Sequence, residues 1–145
     1  MNDLVVAIEQ LEAMVGASLP DDYRRYLLAG KGGFYGEGMG HSPEDFWFSF
    51  KLQKLYQVAD LSGQKLPHDS VQSWREDNPE WVSADLVRFP IGYDHGGYPF
   101  YIHLTGEKAG HVFTWVDAAS PLEEVDLASS FTEFSVLAGL GAIQS

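Results

Sequence analysis

Histidines and a carboxylate are the residues of this chain best suited to hold a metal ion. Three histidines recur every eight residues, at His95, His103 and His111, and Asp94 directly precedes the first of them. Neutral imidazole nitrogens and a carboxylate oxygen are ligands that zinc accepts. However, the chain has neither an H-x-x-x-H nor an H-E-x-x-H spacing, the patterns that place two histidines on one helix face. We therefore predict no metal site and interpret the histidines as strand or surface residues.

The sequence also lacks the patterns typical of nucleophilic and nucleotide-binding enzymes. It has no cysteine and no G-x-S-x-G sequence, which excludes a thiolate nucleophile and the serine elbow of α/β-hydrolases. The glycine-rich run from Gly30 to Gly40 has no G-x-x-x-x-G-K-[ST] motif, so it favours a loop over a phosphate site. Adjacent acids such as Glu76 and Asp77 are typical of solvated charges, because acid–base catalysis needs two carboxylates held across a cleft. We predict a protein that is not an enzyme and uses no cofactor.

The net charge of the chain indicates which kinds of partner it can bind. The chain has 21 acidic and 9 basic residues, for a net charge of −12. Residues 76–145 contain eleven acids but only two bases, Arg88 and Lys108. Because nucleic-acid surfaces depend on lysine and arginine, we expect no nucleic-acid partner, and complementary charge favours a basic protein. No secretory signal and no apolar stretch of about 20 residues is visible, so we expect no membrane contact and a cytoplasmic location.

The most structured part of the pattern runs from Phe89 to Asp117. It predicts a strand, a tight turn through Gly96 and Gly97, and then a β-hairpin. In the first hairpin strand the side chains alternate, which places Tyr98, Phe100, Ile102 and Leu104 on one face and Tyr101 and His103 on the other. If the hairpin is centred near Glu107, His103 and His111 lie opposite each other; their pairing depends on that register.

Helical and strand signals complete the predicted elements. Leu4, Ile8, Leu11 and Val15 recur at helical spacing, and a second helix is expected to begin near Leu19 and end at Gly30. Phe46 to Leu52 alternates as a strand, with Leu55 to Leu61 continuing the sheet. A short helix after Ser70 and a last helix opened by the capping box of Ser130 and Glu133 follow. We therefore predict one domain over residues 1–145 of the α+β class. It has an antiparallel sheet of about five to six strands, flanked by N- and C-terminal helices.

Three blocks of this sequence resemble the SUKH superfamily, also called the Smi/Knr-type domain. They occur in the family's order and extend from about Ile8 to Leu137. The first is Ile8 to Glu12 followed by Leu19 to Tyr23, Leu27 and Gly32–Gly33; the second is Asp94, Gly96, Gly97, Phe100 to Leu104, Gly106, Gly110, Trp115 and Asp117; the third is Leu127 to Leu137. Tyr98 stands where the family often has Asp or Asn, and His103 where an acid is common.

The resemblance implies a function. SUKH domains are known chiefly as immunity proteins that bind and neutralise a cognate bacterial toxin domain, often a nuclease. Fungal relatives act instead as regulatory scaffolds, and an unrecognised metal-dependent hydrolase is a third alternative. We expect an intracellular protein-binding domain whose partner is a cognate toxin, with a basic surface.

The predicted partner surface combines a projecting turn with nearby acids. Loops at a sheet end often carry function, and the chain after Lys108 has no basic residue. The predicted contact residues are Asp94, His95, Tyr98, Glu123, Glu124 and Asp126. Two alternatives remain open: Asp94 could instead brace its own turn through a side-chain bond to the backbone, and Trp47 and Trp115 fit either core or interface.

Overall fold

The computed structural model describes residues 3–34, 40–41, 49–50, 52–63, 70–77, 85–94, 98–116 and 123–137. Helices and strands occur in separate runs, which is an α+β arrangement. In chain order they are α1 (Asp3–Val15), α2 (Asp21–Leu28), β1 (Gly33–Phe34), β2 (Gly40–His41), β3 (Ser49–Phe50), β4 (Leu52–Leu55), α3 (Val58–Leu61), α4 (Val71–Asp77), β5 (Arg88–Asp94), β6 (Pro99–His103), β7 (Val112–Val116), β8 (Glu123–Ala128) and α5 (Phe131–Leu137).

Six of the strands form one antiparallel sheet in the order β1-β4-β5-β6-β7-β8. From β5 onward each strand pairs with the strand that precedes it in the sheet and in the chain. Strand β1 pairs with the other side of β4, whereas β2 and β3 pair only with each other. This sheet with its helices confirms the predicted fold class.

Helices α1, α2 and α5 cover one face of the sheet. Ile8 and Leu11 of α1 are fully or almost fully buried, as their helical spacing predicted. Tyr23 of α2 meets Phe131 of α5 edge-on, with 4.9 Å between ring centroids, and meets Phe89 of β5 at 6.1 Å. Such aromatic contacts add about 0.5–1.5 kcal/mol each beyond burial. The main core therefore lies between these helices and the sheet.

Short polar side chains begin the later helices. At the start of α4 the Ser70 hydroxyl accepts a hydrogen bond from the amide three residues later, at 3.0 Å. Ser130 does the same at the start of α5, also at 3.0 Å, which confirms the serine half of the predicted capping box. The Glu133 carboxylate accepts a hydrogen bond from the Ser129 amide, at 2.7 Å, in place of the Ser130 amide. A further cap comes from α2: Asp22 Oδ2 accepts hydrogen bonds from the Thr132 amide and hydroxyl, each at 2.9 Å. This carboxylate ties the second helix to the last.

Two local predictions were wrong and one strand was missed. Strand β4 ends at Leu55, and the residues expected to continue it form α3, because the Asp60 carboxylate accepts a hydrogen bond from the Gln57 amide at 2.8 Å and closes a helical turn. Strand β8 was not predicted at all. Tyr98 lies before β6 and packs against Tyr101 and Phe113, because strand alternation does not extend to a residue outside the strand.

Candidate outer-face site

The sheet face opposite α1, α2 and α5, here called the outer face, carries the polar side chains. Since side chains alternate along a strand, Phe100 and Ile102 of β6 point to the helices while Tyr101 and His103 point away. Phe100 and Ile102 belong to the main buried cluster, whereas Tyr101 belongs to a separate one. Every second residue of β8 likewise faces outward, which brings Glu124 to this face.

Glu124 is the centre of a hydrogen-bond cluster on the outer face. Its Oε2 atom accepts a hydrogen bond from the Tyr101 hydroxyl at 2.6 Å and one from Arg88 Nε at 2.9 Å. His103 Nε2 lies 3.0 Å from the same oxygen and donates when it carries the proton. Strands β5, β6 and β8 each supply a member, so the sheet register positions the cluster. Hydrogen bonds to an ionised carboxylate are roughly twice as strong as neutral ones.

The pKa values of this cluster favour a fixed charge over proton transfer. Burial by itself raises the pKa of Glu124, but the hydrogen bonds from His103, Arg88 and Tyr101 outweigh it and lower the pKa from 4.5 to about 2. Burial, together with the bond to Glu124, raises the pKa of Tyr101 well above its ordinary value. A general acid or base works best with a pKa near the operating pH, which these two groups do not have.

A second carboxylate lies two residues further along β8. Asp126 Oδ2 accepts a hydrogen bond from Lys108 Nζ at 3.1 Å and lies 2.9 Å from His111 Nδ1. Lys108 is 55% exposed, so this ion pair is weaker than one that excludes water. The backbone amide of His103 donates to the His111 carbonyl at 3.1 Å, which confirms that the two histidines face each other across the hairpin.

Stacked rings hold the outer-face side chains in place. Phe113 of β7 is nearly parallel to His103, with 3.8 Å between centroids, and to Tyr101 at 6.0 Å. Trp74 of α4 lies 6.2 Å from Tyr101. Because Tyr101 and Phe113 are buried, this stack forms a small second core, and the Tyr101 hydroxyl is aimed at Glu124.

The structure brings some of the predicted contact residues together. Tyr98 packs on the same aromatic cluster as Tyr101, whose hydroxyl binds Glu124, and Asp126 follows on the same face. The backbone of Asp94 forms the end of β5, and that of Glu123 begins β8. Outside the described residues lie the side chains of Asp94, Glu123 and Trp115. His95 and Trp47 lie outside them altogether.

The partners of the two carboxylates were not foreseen. Arg88, Tyr101 and Lys108 were not among the predicted site residues, because each lies at least fifteen residues away in sequence from the acid it contacts. One local signal was present: Glu124 and Asp126 alternate with Val125 and Leu127, a period of two that is typical of a half-buried strand.

The described part of the chain contains no group of three or more histidines and acids arranged to hold a metal ion. None of the helices defined there is long and apolar enough to cross a membrane.

Comparison with known protein families shows to which family the chain belongs. A model of the SMI1 / KNR4 family (SUKH-1) matches residues 5–136. The chain belongs to this family. The SUKH-1 match begins inside α1 and ends inside α5, so it contains every strand of the sheet and both carboxylates of the outer face. No curated protein and no solved structure matches the chain.

Proposed function

We propose that this SUKH-1 protein is a cytoplasmic immunity protein that binds a cognate toxin domain, possibly a nuclease, and blocks it without turnover. The observation that carries the proposal is the outer face, where Glu124 is held as a carboxylate by three hydrogen bonds. Family membership supports a protein-binding role in general. The geometry adds a surface whose charge is fixed before any partner arrives.

The distribution of cations supports a basic partner. Within the described residues, Arg24, Lys54, Arg88 and Lys108 each have a nitrogen within 4 Å of a carboxylate oxygen, at 3.8, 3.3, 2.9 and 3.1 Å. Each of these four cations therefore forms an ion pair within the molecule, and the net charge of −12 leaves an excess of acidic residues. A long-range negative potential speeds encounter with a basic surface and disfavours acidic ones.

The proposed contact surface extends from the aromatic cluster to β8. Tyr98 supplies an aromatic residue, a type enriched at binding hot spots, and Glu124 and Asp126 supply charge on the same face of the sheet. Asp94, His95 and Glu123 complete the proposed surface. The pKa of Glu124 is lowered by its hydrogen bonds and that of Tyr101 is raised by burial, which suits a fixed charge for binding better than acid–base catalysis.

Reconstitution with the protein encoded by the adjacent gene tests this function. We expect a complex of one molecule of each, and toxin activity that falls to zero when one equivalent has been added. The association rate should drop at least tenfold as salt rises from about 0.02 M to about 0.5 M, because screening removes electrostatic steering. Loss of toxin activity at a small fraction of an equivalent would contradict the proposal, because it indicates turnover. Binding without any loss of activity would favour a regulatory scaffold.

A further inference from the structure

Strand β8 is the last strand of the six-stranded sheet. Among the described strands it pairs with β7 alone. As far as the described residues extend, its other edge presents backbone amides and carbonyls to which another strand can bond. Leu127 is fully buried and Val125 packs against the main core. The strand therefore has a fixed position, and its side chains on the outer face are those of Glu124 and Asp126.

Each of these two carboxylates keeps one oxygen for a further contact. All the hydrogen bonds of Glu124 go to Oε2, and both contacts of Asp126 go to Oδ2. The described residues make no hydrogen bond to Glu124 Oε1 or Asp126 Oδ1. The side chains are 23% and 29% exposed. The backbone positions that carry these two acids are about 7 Å apart, the repeat of alternate residues in a strand.

Charge disfavours a second copy of this chain as the added strand. In an antiparallel pair of β8 strands that keeps the outer faces aligned, three registers are centred on the acids. The opposed residues are then Glu124 and Glu124, Glu124 and Asp126, or Asp126 and Asp126. Like charges directly opposite each other destabilise a strand pair, whereas opposite charges stabilise it, by roughly 0.2–1 kcal/mol per pair. The edge therefore favours a strand with basic side chains over its own copy.

We infer that the partner adds an extended basic segment to the free edge of β8, with Lys or Arg at alternate positions opposite Glu124 and Asp126. Main-chain hydrogen bonds supply affinity in strand addition, and alternate side chains supply specificity. The inference rests on the proposed function, because it assigns a binding mode to the toxin partner.

A synthetic probe tests the edge without the toxin. The probe is a capped peptide of about eight residues that alternates Lys and Val, which suits strand addition. We expect it to bind and to slow hydrogen exchange of the amides in residues 123–128. A peptide of the same length that alternates Glu and Val should not bind, and neither should the Lys and Val peptide with a central proline, which removes a ladder hydrogen bond.

Charge-neutral variants test the two acceptor positions. Asp126→Asn and Glu124→Gln should each weaken binding of the Lys and Val peptide about 1.5- to 5-fold, the range of one cross-strand charge pair. Glu9→Gln, at an exposed position of α1, removes the same charge and should leave the affinity unchanged. Equal weakening by all three variants would overturn the inference, because it would show a response to net charge alone.

The outcomes for the edge and for the function are separable. If the peptide binds at residues 123–128 but the protein does not neutralise the adjacent-gene protein, strand addition at β8 is supported and the immunity function is rejected. If the protein neutralises its partner but exchange slows elsewhere and not in β8, strand addition is rejected and the immunity function is kept. Absence of peptide binding in low salt would also overturn strand addition at β8.

Discussion

Replacing Glu124 with glutamine should lower stability in a pH-dependent way. The substitution keeps the size of the side chain but removes the charge that accepts hydrogen bonds from Tyr101 and Arg88. The pKa of Glu124 is lowered from 4.5 to about 2 in the folded protein. A carboxylate with a lowered pKa stabilises the folded state above its unfolded pKa, and that contribution is lost as the pH falls through the folded value. The relevant window is therefore pH 4.5 down to about 2.

The size of the effect follows from the same values. One pKa unit corresponds to about 1.4 kcal/mol, so the change from 4.5 to about 2 sets an upper limit of about 3 kcal/mol. The Glu124 side chain is 23% exposed, and solvent screening reduces the contribution to about 2 kcal/mol. For a domain of this size, a loss of about 2 kcal/mol lowers the melting temperature by about 4–8 °C.

Urea unfolding of both proteins across the acid range provides the assay. The free energy of unfolding of Glu124→Gln should lie about 2 kcal/mol below wild type near pH 6, and the two values should converge as the pH approaches 2. Glu9→Gln serves as the control, since it removes an exposed carboxylate with no such cluster. Wild-type and Glu124→Gln curves that stay parallel down to pH 3 would refute the reasoning, because the charge of Glu124 would then contribute nothing.

Two further predictions concern buried charge and helix capping. Asp60→Ala should lower the free energy of unfolding by about 3–5 kcal/mol, because it removes the carboxylate 3.3 Å from the buried Lys54 ammonium. In the same denaturation assay, Lys54→Met should lower the free energy of unfolding by less. A larger loss for Lys54→Met than for Asp60→Ala would contradict this account. Asp22→Ala should cost about 1 kcal/mol by removing the cap on Thr132, whereas Asp21→Ala, its exposed neighbour, should melt within a degree or two of wild type.

The sequence predicted elements whose signals are local. Ile8 and Leu11 lie at helical spacing, and Ser130 stands three residues before Glu133, so the helices and a cap followed from nearby residues alone. The sequence predicted the hairpin itself but left open whether His103 lies opposite His111, because the centre of the turn was not fixed. These features need no knowledge of the rest of the chain.

The contacts of the site were not predictable in the same way. Arg88 reaches Glu124 across 36 residues, and only the order of strands in the sheet brings them together. The acids of β8 were predicted as contact residues from charge alone, whereas their alternation with Val125 and Leu127 is the signal of the strand that holds them. Helix α3 has only four residues, too few for a periodic signal, and its start depends on the Asp60 carboxylate.

The Asp22 cap on α5 has a consequence for folding during synthesis. The carboxylate and its hydrogen-bond donor Thr132 are 110 residues apart, and ribosomes add about 5–20 residues per second. Helix α2 therefore waits roughly 5–20 s before α5 emerges to cover Tyr23 and Tyr26, both of which meet Phe131 edge-on in the finished core. Strands β5 to β8 can pair in succession as each leaves the tunnel. The N-terminal helices are thus made first but buried last, and nascent chains should expose these two tyrosines until residue 131 has been translated and released.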